Sequence, residues 1–519
     1  MALTQSGRPQ RSSASLLVSA LLLCAGLAFW LDLGSLHRYH HGDSIIPVLV
    51  SLQDWTPFYW GQNRIGMLFP LLAAPVSDPL LNLLVQDGMA IFCGLATMWL
   101  LPRYVLRDAT WPIVGAINVA VLLGATPREH QFEFLIDQPF GPSFAMAVGG
   151  LLLLEKARSQ PVPWPRVFLG VALLIIGHWL NLAIALVLLP LVVARSLLLP
   201  PGMLSEGHSE HAEGDVSLEL VSIGTAWFWG FVLMQVVGPP STSTGIAPAS
   251  GWLIGWIRLA TNTWRAVDSE RFHVVLGLLF SASAAALVVP ALRRQAGVPV
   301  RAAVTLGTAA LVYGAFVGTL EWVRMNQFHY RYVMPSLVLA QTALAILAVA
   351  PVARVVGLPA RAPLRVAALC LPLLAAGWVH GLPSLPGVRQ QLDGRFGSRT
   401  AEVIAAGSTH VMGQYWTVWP AVFHANLVLH EQGRKRRVWG ITDRSGPTQR
   451  LWKTIPRSRW RVAVPIGDPD FDKHVEQYGL EALRLEERLS TISVFEWSPG
   501  KSAARGRRGR SREPSPTPP

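Results

Sequence analysis

The hydrophobic positions of this chain are gathered into long runs, not spread at the spacing of one helical face. Eleven runs predict helices, at 15–36, 80–101, 110–126, 142–155, 167–178, 182–199, 219–238, 273–291, 302–320, 333–353 and 365–382. About 20 apolar residues in an α-helix cross a bilayer core about 30 Å thick. In lipid each backbone polar group must find its partner within the protein, which a helix provides. The pattern therefore predicts an all-α polytopic membrane protein of about 11 transmembrane helices. The segments 142–155 and 167–178 are short for full spans, and 68–76 is shorter still and is placed in the interface. The run from Ser15 to Trp30 follows Arg8 and Arg11, as a signal peptide would. No small-residue cleavage site follows it, so it reads as a retained first helix.

The basic residues set the expected orientation, because short cytoplasmic loops are rich in Lys and Arg. With the N-terminus inside, the inner loops hold Arg103, Arg107, Lys156, Arg158, Arg166, Arg195, Arg293, Arg294, Arg301, Arg354, Arg361 and Arg365. The alternation holds only if 167–199 is a hairpin broken at His178-Trp179-Leu180-Asn181. Four outer loops result, about 37–66, 127–141, 239–272 and 321–332. They contain arginines but no lysine, and are rich in Trp and Tyr, as an interfacial aromatic belt also would be.

The character changes after 382. Helical candidates at 399–407, 414–433 and 471–479 mix with strand candidates at 436–441, 461–466 and 491–497. The expected organisation is a cytoplasmic N-terminus (1–14), a transmembrane domain (15–382), a small extracytoplasmic α/β domain (383–498) and a basic, disordered tail (499–519). Composition agrees: 51% of the 519 residues are hydrophobic and 14% charged, against about 25% charged in soluble domains. The net charge of +13 sits largely at span ends and in the tail, so it does not call for nucleic acid. Cys24, Cys93 and Cys370 all lie in apolar runs and read as small buried residues.

The candidate chemistry gathers in the outer loops. The first reads His37-Arg38-Tyr39-His40-His41-Gly42-Asp43-Ser44 and then Trp55-Thr56-Pro57-Phe58-Tyr59-Trp60-Gly61-Gln62-Asn63-Arg64. Asp43 is thereby held near the outer surface, where a lipid headgroup would sit. The plain alternative is an acid that caps the loop helix or pairs with Arg38. The second loop supplies Arg128, Glu129, His130, Glu133 and Asp137, and the fourth runs out through His329-Tyr330-Arg331-Tyr332-Val333-Met334-Pro335. Asp87 falls within a span, where a charge costs about 2.5–3.5 kcal/mol and so faces protein or water.

An N-inside first helix followed by an outer loop with an early Asp resembles the GT-C superfamily of membrane glycosyltransferases. Gly42-Asp43-Ser44 and Phe58-Tyr59-Trp60-Gly61-Gln62 are similar to bacterial members. Arg331-Tyr332-Val333-Met334-Pro335 resembles the Arg-Tyr-x-x-Pro stretch of the protein-mannosyltransferase-like branch, and Tyr415-Trp416 is a weaker match. The resemblance implies a GT-C-like fold in a bacterial inner membrane. It also implies inverting transfer of a sugar from a polyprenyl-phosphate carrier to an envelope acceptor. Asp43 is then the candidate base. Arg331 is the candidate phosphate ligand, since a guanidinium suits phosphate oxygens. Arg64, Glu129, Tyr330, Tyr332 and His178 are further substrate-binding candidates. A divalent metal ion is a candidate cofactor whose ligands the spacing does not identify. Two other readings stand beside this one. A lipid or glycolipid transporter or flippase would explain Asp87 and the break at 178–181. A non-catalytic scaffold would explain the soluble segment but not the acidic loops.

Overall fold

The computed structural model describes residues 9–156, 163–199, 216–239 and 245–498. It divides into two compact units, Met1–Gly397 and Ser398–Pro519. The expected tail at 499–519 lies outside the described residues.

All eleven expected helices form in the first unit. Seven, at Ser15–Asp32, Pro79–Leu106, Ser217–Val237, Glu270–Val288, Gly297–Val317, Tyr330–Val356 and Pro363–His380, are long and apolar enough to cross a bilayer. The other four are shorter: Trp111–Ala125, Phe140–Lys156, Trp164–Leu180 and Ala185–Leu198. The first helix ends at Asp32, four residues before the expected 36, because Leu33 to Ser35 turn the chain into a short 3-10 segment, Leu36–Tyr39.

Pro79–Leu106 is the central helix and is buried along most of its length. Gly94 lets Phe140–Lys156 approach it, since a Cβ on Gly141 would stand 2.8 Å from the Gly94 Cα. Such small-residue contacts are how helices pack where lipid supplies no hydrophobic drive. Arginines near helix ends are tied by acids. Arg107 and Arg195 share Glu155, Arg195 also meets Glu219 at 3.5 Å, and Arg354 pairs with Asp108.

The break in 167–199 falls at Asn181, whose backbone turns extended and whose side chain accepts the Ala183 N–H at 3.1 Å. The freed backbone is used by the first loop. Gly66 N–H donates to the Leu180 carbonyl, and Trp179 Nε1 donates to the Pro57 carbonyl at 3.1 Å. A Cβ at Gly66 would lie 2.6 Å from the Trp179 carbonyl oxygen, so only glycine fits there.

Two features depart from expectation. The loop at 239–272 contains an amphipathic helix, Trp252–Val267, whose Asn262 amide donates to the Gln327 and Phe328 carbonyls at 3.0 and 3.1 Å. Cys370 is exposed while Cys24 and Cys93 are buried. A residue facing outward from a membrane bundle is as apolar in sequence as one facing in, so an apolar run does not separate the two cases.

The second unit is a small α/β body that begins at Ser398, not at the expected 383, because the helix Leu385–Ala405 carries the chain across the boundary. Its sheet comprises β1 (His410–Met412), β2 (Trp439–Ile441), β3 (Arg461–Pro465), β4 (Leu483–Arg488) and β5 (Ile492–Trp497). The order is β2-β1-β3-β5-β4, parallel across the first three and antiparallel at β3–β5 and β5–β4. β1 and β4 are not among the strands expected from sequence: β1 is three residues long, and β4 carries charged residues on both faces.

Candidate active site

The first loop is built to present Asp43. His41 caps the helix Gly42–Leu52, its Nδ1 accepting the Asp43 N–H at 3.3 Å, while Ser44 Oγ accepts the His41 N–H. Asp43 thus stands in the first turn, where the helix dipole favours negative charge. A polar stripe on the central helix anchors this segment. Asn82 donates to Ser51 Oγ and to the Ala73 and Val76 carbonyls, and Gln86 donates to the Pro47 carbonyl.

Asp43 and Arg331, 288 residues apart, meet here. Arg331 Nη1 donates to Asp43 Oδ2 at 3.2 Å, with the side chains 13% and 16% exposed. Tyr59 Oη donates to Asp43 Oδ1 at 3.1 Å, and Arg331 Nη2 lies 3.2 Å from Tyr332 Oη. Arg38, the alternative partner, instead donates its Nε–H to the Ser35 carbonyl. Arg331 follows Gln327 and Phe328, both left-handed at φ 55° and 54°. That conformation is strained for residues with a Cβ, and the Asn262 amide holds both their carbonyls.

The second loop brings Glu133 and Asp137 onto one turn, a π-helical segment Glu133–Asp137. Burial first, then the Asp137 charge, holds the Glu133 carboxyl well above the ordinary range. His130 and His329 flank Tyr330, with ring centroids 4.3 and 4.5 Å away. Burial first, then neighbouring positive groups, pushes both histidines down to about 4, leaving them neutral at pH 7.

His41, Glu133 and Asp137 are close enough to suggest a metal site. They do not fit one as arranged. His41 Nδ1 is committed to the Asp43 N–H, so Nε2 carries the proton and points it toward Asp137 Oδ1 at 3.5 Å. A ligand would need a lone pair there.

The remaining sequence candidates have different surroundings. Arg64 stacks over the Trp322 ring at 3.6 Å. Glu129 is exposed on the short helix Arg128–Phe132. His178 is buried and hydrogen-bonds the Leu174 carbonyl at 2.7 Å, as a helix-interior histidine does. Tyr330 is buried with an unpartnered hydroxyl, beside the histidines. Glu129, Glu133 and Asp137 are each spaced i, i+4, so spacing alone does not separate the inward pair from Glu129.

A cavity of about 780 Å³ reaches the site at His130 and Val333. Val121, Leu259, Phe272, Leu311 and Leu337 are among its apolar lining, and His130 is one of its few polar members. The amphipathic helix Trp252–Val267 forms one wall.

Fold and site together define a multi-pass membrane protein with a carboxylate–guanidinium pair next to an apolar cavity. No protein-family model matches the sequence, and no curated protein matches it significantly. The chain is similar to the crystal structure of ArnT from Cupriavidus metallidurans bound to undecaprenyl phosphate. Identity is 12%, coverage 95% of this chain and 99% of that one, and the TM-score 0.46. For the apo state of that protein the values are 12%, 93%, 98% and 0.44. The single-particle cryo-EM structure of the arabinofuranosyltransferase AftD from Mycobacteria is similar at 15% identity and TM-score 0.40, over 95% of this chain and 40% of that one.

Proposed function

We propose that this chain is an inverting glycosyltransferase. It moves a sugar from a polyprenyl-phosphate-linked donor to a cell-envelope acceptor at the outer face of a bacterial cytoplasmic membrane. In this reading the N-terminus is cytoplasmic and the small α/β domain, 383–498, extracytoplasmic. The observation that carries it is the Asp43–Arg331 pair beside a large apolar cavity. A polyprenyl phosphate has the matching form, an anionic head on a hydrocarbon tail.

The chemistry follows from the residues. The acceptor hydroxyl oxygen attacks the anomeric carbon as the bond to the phosphate oxygen breaks. Asp43 takes the hydroxyl proton as general base. The electron pair leaves with the polyprenyl phosphate, whose added charge Arg331 stabilises through planar donors. Inversion requires base and leaving group on opposite faces of the sugar. The contact at 3.2 Å is therefore a resting state that the donor parts: its phosphate takes Arg331, and the sugar enters beside the freed Asp43.

The test is release of free polyprenyl phosphate by the purified protein in lipid, from a panel of polyprenyl-phosphate sugars with envelope lipid extract as acceptor, with Asp43→Asn alongside. Release by wild type and its loss in the variant support the reading. Donor crossing the bilayer uncleaved would replace it with transport.

A further inference from the structure

The first loop holds a second polar cluster that transfer chemistry does not use. His37 and His40, on and just after the 3-10 segment Leu36–Tyr39, converge with Asp87 of the central helix. Their side chains are 0%, 0% and 5% exposed. His40 Nε2 lies 3.0 Å from Asp87 Oδ2, His37 Nδ1 lies 3.8 Å from the same oxygen, and the two nitrogens are 3.2 Å apart.

The partners of the remaining ring nitrogens say what these atoms can be. His37 Nε2 is 2.5 Å from the Asp32 carbonyl oxygen, which only accepts, so Nε2 carries the proton and Nδ1 is a lone pair. The Ser44 hydroxyl gives its proton to the His41 carbonyl at 3.1 Å. With that proton given to the His41 carbonyl, Ser44 Oγ accepts from His40 Nδ1, also at 3.1 Å, and His40 Nε2 is a lone pair; in the other tautomer Ser44 donates to His40 Nδ1 and His40 Nε2–H donates to His37 Nδ1 at 3.2 Å. The Asp87 carboxylate only accepts, and its Oδ2 has no hydrogen-bond donor. In the first tautomer three acceptors face one another in a buried site, and in either one Asp87 Oδ2 is without a hydrogen-bond partner. In the first, each acceptor repels the others unless a cation lies between.

We infer that His37 Nδ1, His40 Nε2 and Asp87 Oδ2 bind one divalent transition-metal ion of the zinc type. Tetrahedral bonds of about 2.0–2.1 Å put neighbouring ligand atoms about 3.3 Å apart, and the separations of 3.0, 3.2 and 3.8 Å straddle that value. Two imidazoles and one carboxylate suit zinc, cobalt or nickel better than magnesium or calcium. The fourth position is left to water. The bonds from His37 to the Asp32 carbonyl and from His40 to Ser44 are the outer contacts that orient metal-binding imidazoles. Asp32 also brings a buried carboxyl group, with Oδ1 4.0 Å from His37 Nε2. The His41 cluster is the contrast within the same loop, since its Nε2 is a donor. The ion would pin the first loop to the central helix three residues before Asp43, as a positioning device. The inference does not depend on the transferase reading.

The experiment is metal analysis of the full chain, purified in lipid nanodiscs with a tag free of histidine. The bound metal is then removed with a chelator and replaced by Co²⁺, read by visible absorption. Wild type should hold about one equivalent and give the intense bands of tetrahedral cobalt. His37→Gln, His40→Gln and Asp87→Asn should each weaken cobalt binding by roughly tenfold or more, and His41→Gln should not. A folded wild type that takes up no stoichiometric cobalt overturns the inference, because a shared proton then fills the triangle. Equal binding in all variants overturns it too, as does loss confined to His41→Gln. If the ligand variants do not fold, X-ray absorption of the wild-type cobalt protein decides by the presence or absence of two imidazoles.

Discussion

Replacing Asp43 by Asn should make the protein bind its donor more tightly and turn it over far more slowly. In the resting structure Arg331 Nη1 is held by Asp43 Oδ2 at 3.2 Å, so an incoming phosphate must displace that carboxylate. A charge-assisted hydrogen bond contributes about 1.5–3 kcal/mol. The Asp43→Asn amide would keep the shape and the Tyr59 contact but lose the charge. Freeing Arg331 of this competitor should therefore tighten donor binding by roughly 10- to 100-fold. The same substitution removes the base, which contributes about 10²–10⁴ in rate. Arg331→Ala should move binding the other way, by roughly 10- to 100-fold, because the phosphate loses its donors. The double variant separates the effects. If competition is real, Asp43→Asn should give no tightening once Arg331 is gone.

The assay is equilibrium binding of a radiolabelled polyprenyl-phosphate sugar to each variant in nanodiscs, with single-turnover release measured on the same samples. Weaker binding in Asp43→Asn with an intact fold would refute the competition and make Asp43 part of the donor's own binding surface. Unchanged release in Asp43→Asn would refute the base. Unchanged binding in Arg331→Ala would move the phosphate site elsewhere.

Other outcomes follow from single observations. The Glu133 carboxyl titrates above the ordinary range, so its contribution to stability is full below the ordinary carboxylate range and is lost as pH rises through its elevated folded value. Glu133→Gln should fold normally and flatten the alkaline fall in thermal stability, and an unflattened profile would rule out this carboxyl as the source. A methyl on Gly66 meets the Trp179 carbonyl at 2.6 Å, so Gly66→Ala should cost about 1–3 kcal/mol and lower activity by displacing the loop that carries Tyr59. A wild-type melting curve and turnover would show that the clasp yields freely. In the second unit, burial pushes His410 down from 6.5 to about 3. The unfolded chain therefore takes a proton that the folded one refuses. Stability is complete above about pH 6.5 and falls by up to about 1.4 kcal/mol per pH unit toward pH 3. Hydrogen exchange at β1, corrected for intrinsic rate, should show that slope in the full chain, and His410→Gln should lose it.

The membrane helices were legible because a span needs only length and apolarity, and both are local. The soluble body was legible for the same reason where its elements are long, as at Tyr415–Glu431 and Ile492–Trp497. Asp43 and Arg331 could each be singled out from their own stretches, but nothing local says that they touch. Their contact depends on the tertiary path that brings Tyr330–Val333 over the loop helix. Asp87 was legible as a buried acid in need of a partner. That the partners are His37 and His40, some fifty residues earlier, is fixed by the turn after Asp32. Glu129 drew more attention than Glu133 because it stands first in the loop, yet the π turn faces Glu133 and Asp137 inward and leaves Glu129 in the open.

The resting pair has a physical rationale apart from any reaction. A largely buried carboxylate and guanidinium left alone would each lose solvation without compensation, and removing one partner of such a pair costs about 3–5 kcal/mol. Held together, each is the other's counter-ion while the site is unfilled. An anionic headgroup can replace Asp43 at Arg331, but Asp43 then needs a new partner, and the acceptor hydroxyl is one whose proton it can take. Donor binding alone would thus raise the energy of the carboxylate, and acceptor binding would relieve it. The order donor first, acceptor second follows from that asymmetry. It also gives Asp43 little reason to leave Arg331 for a neutral hydroxyl before a phosphate arrives.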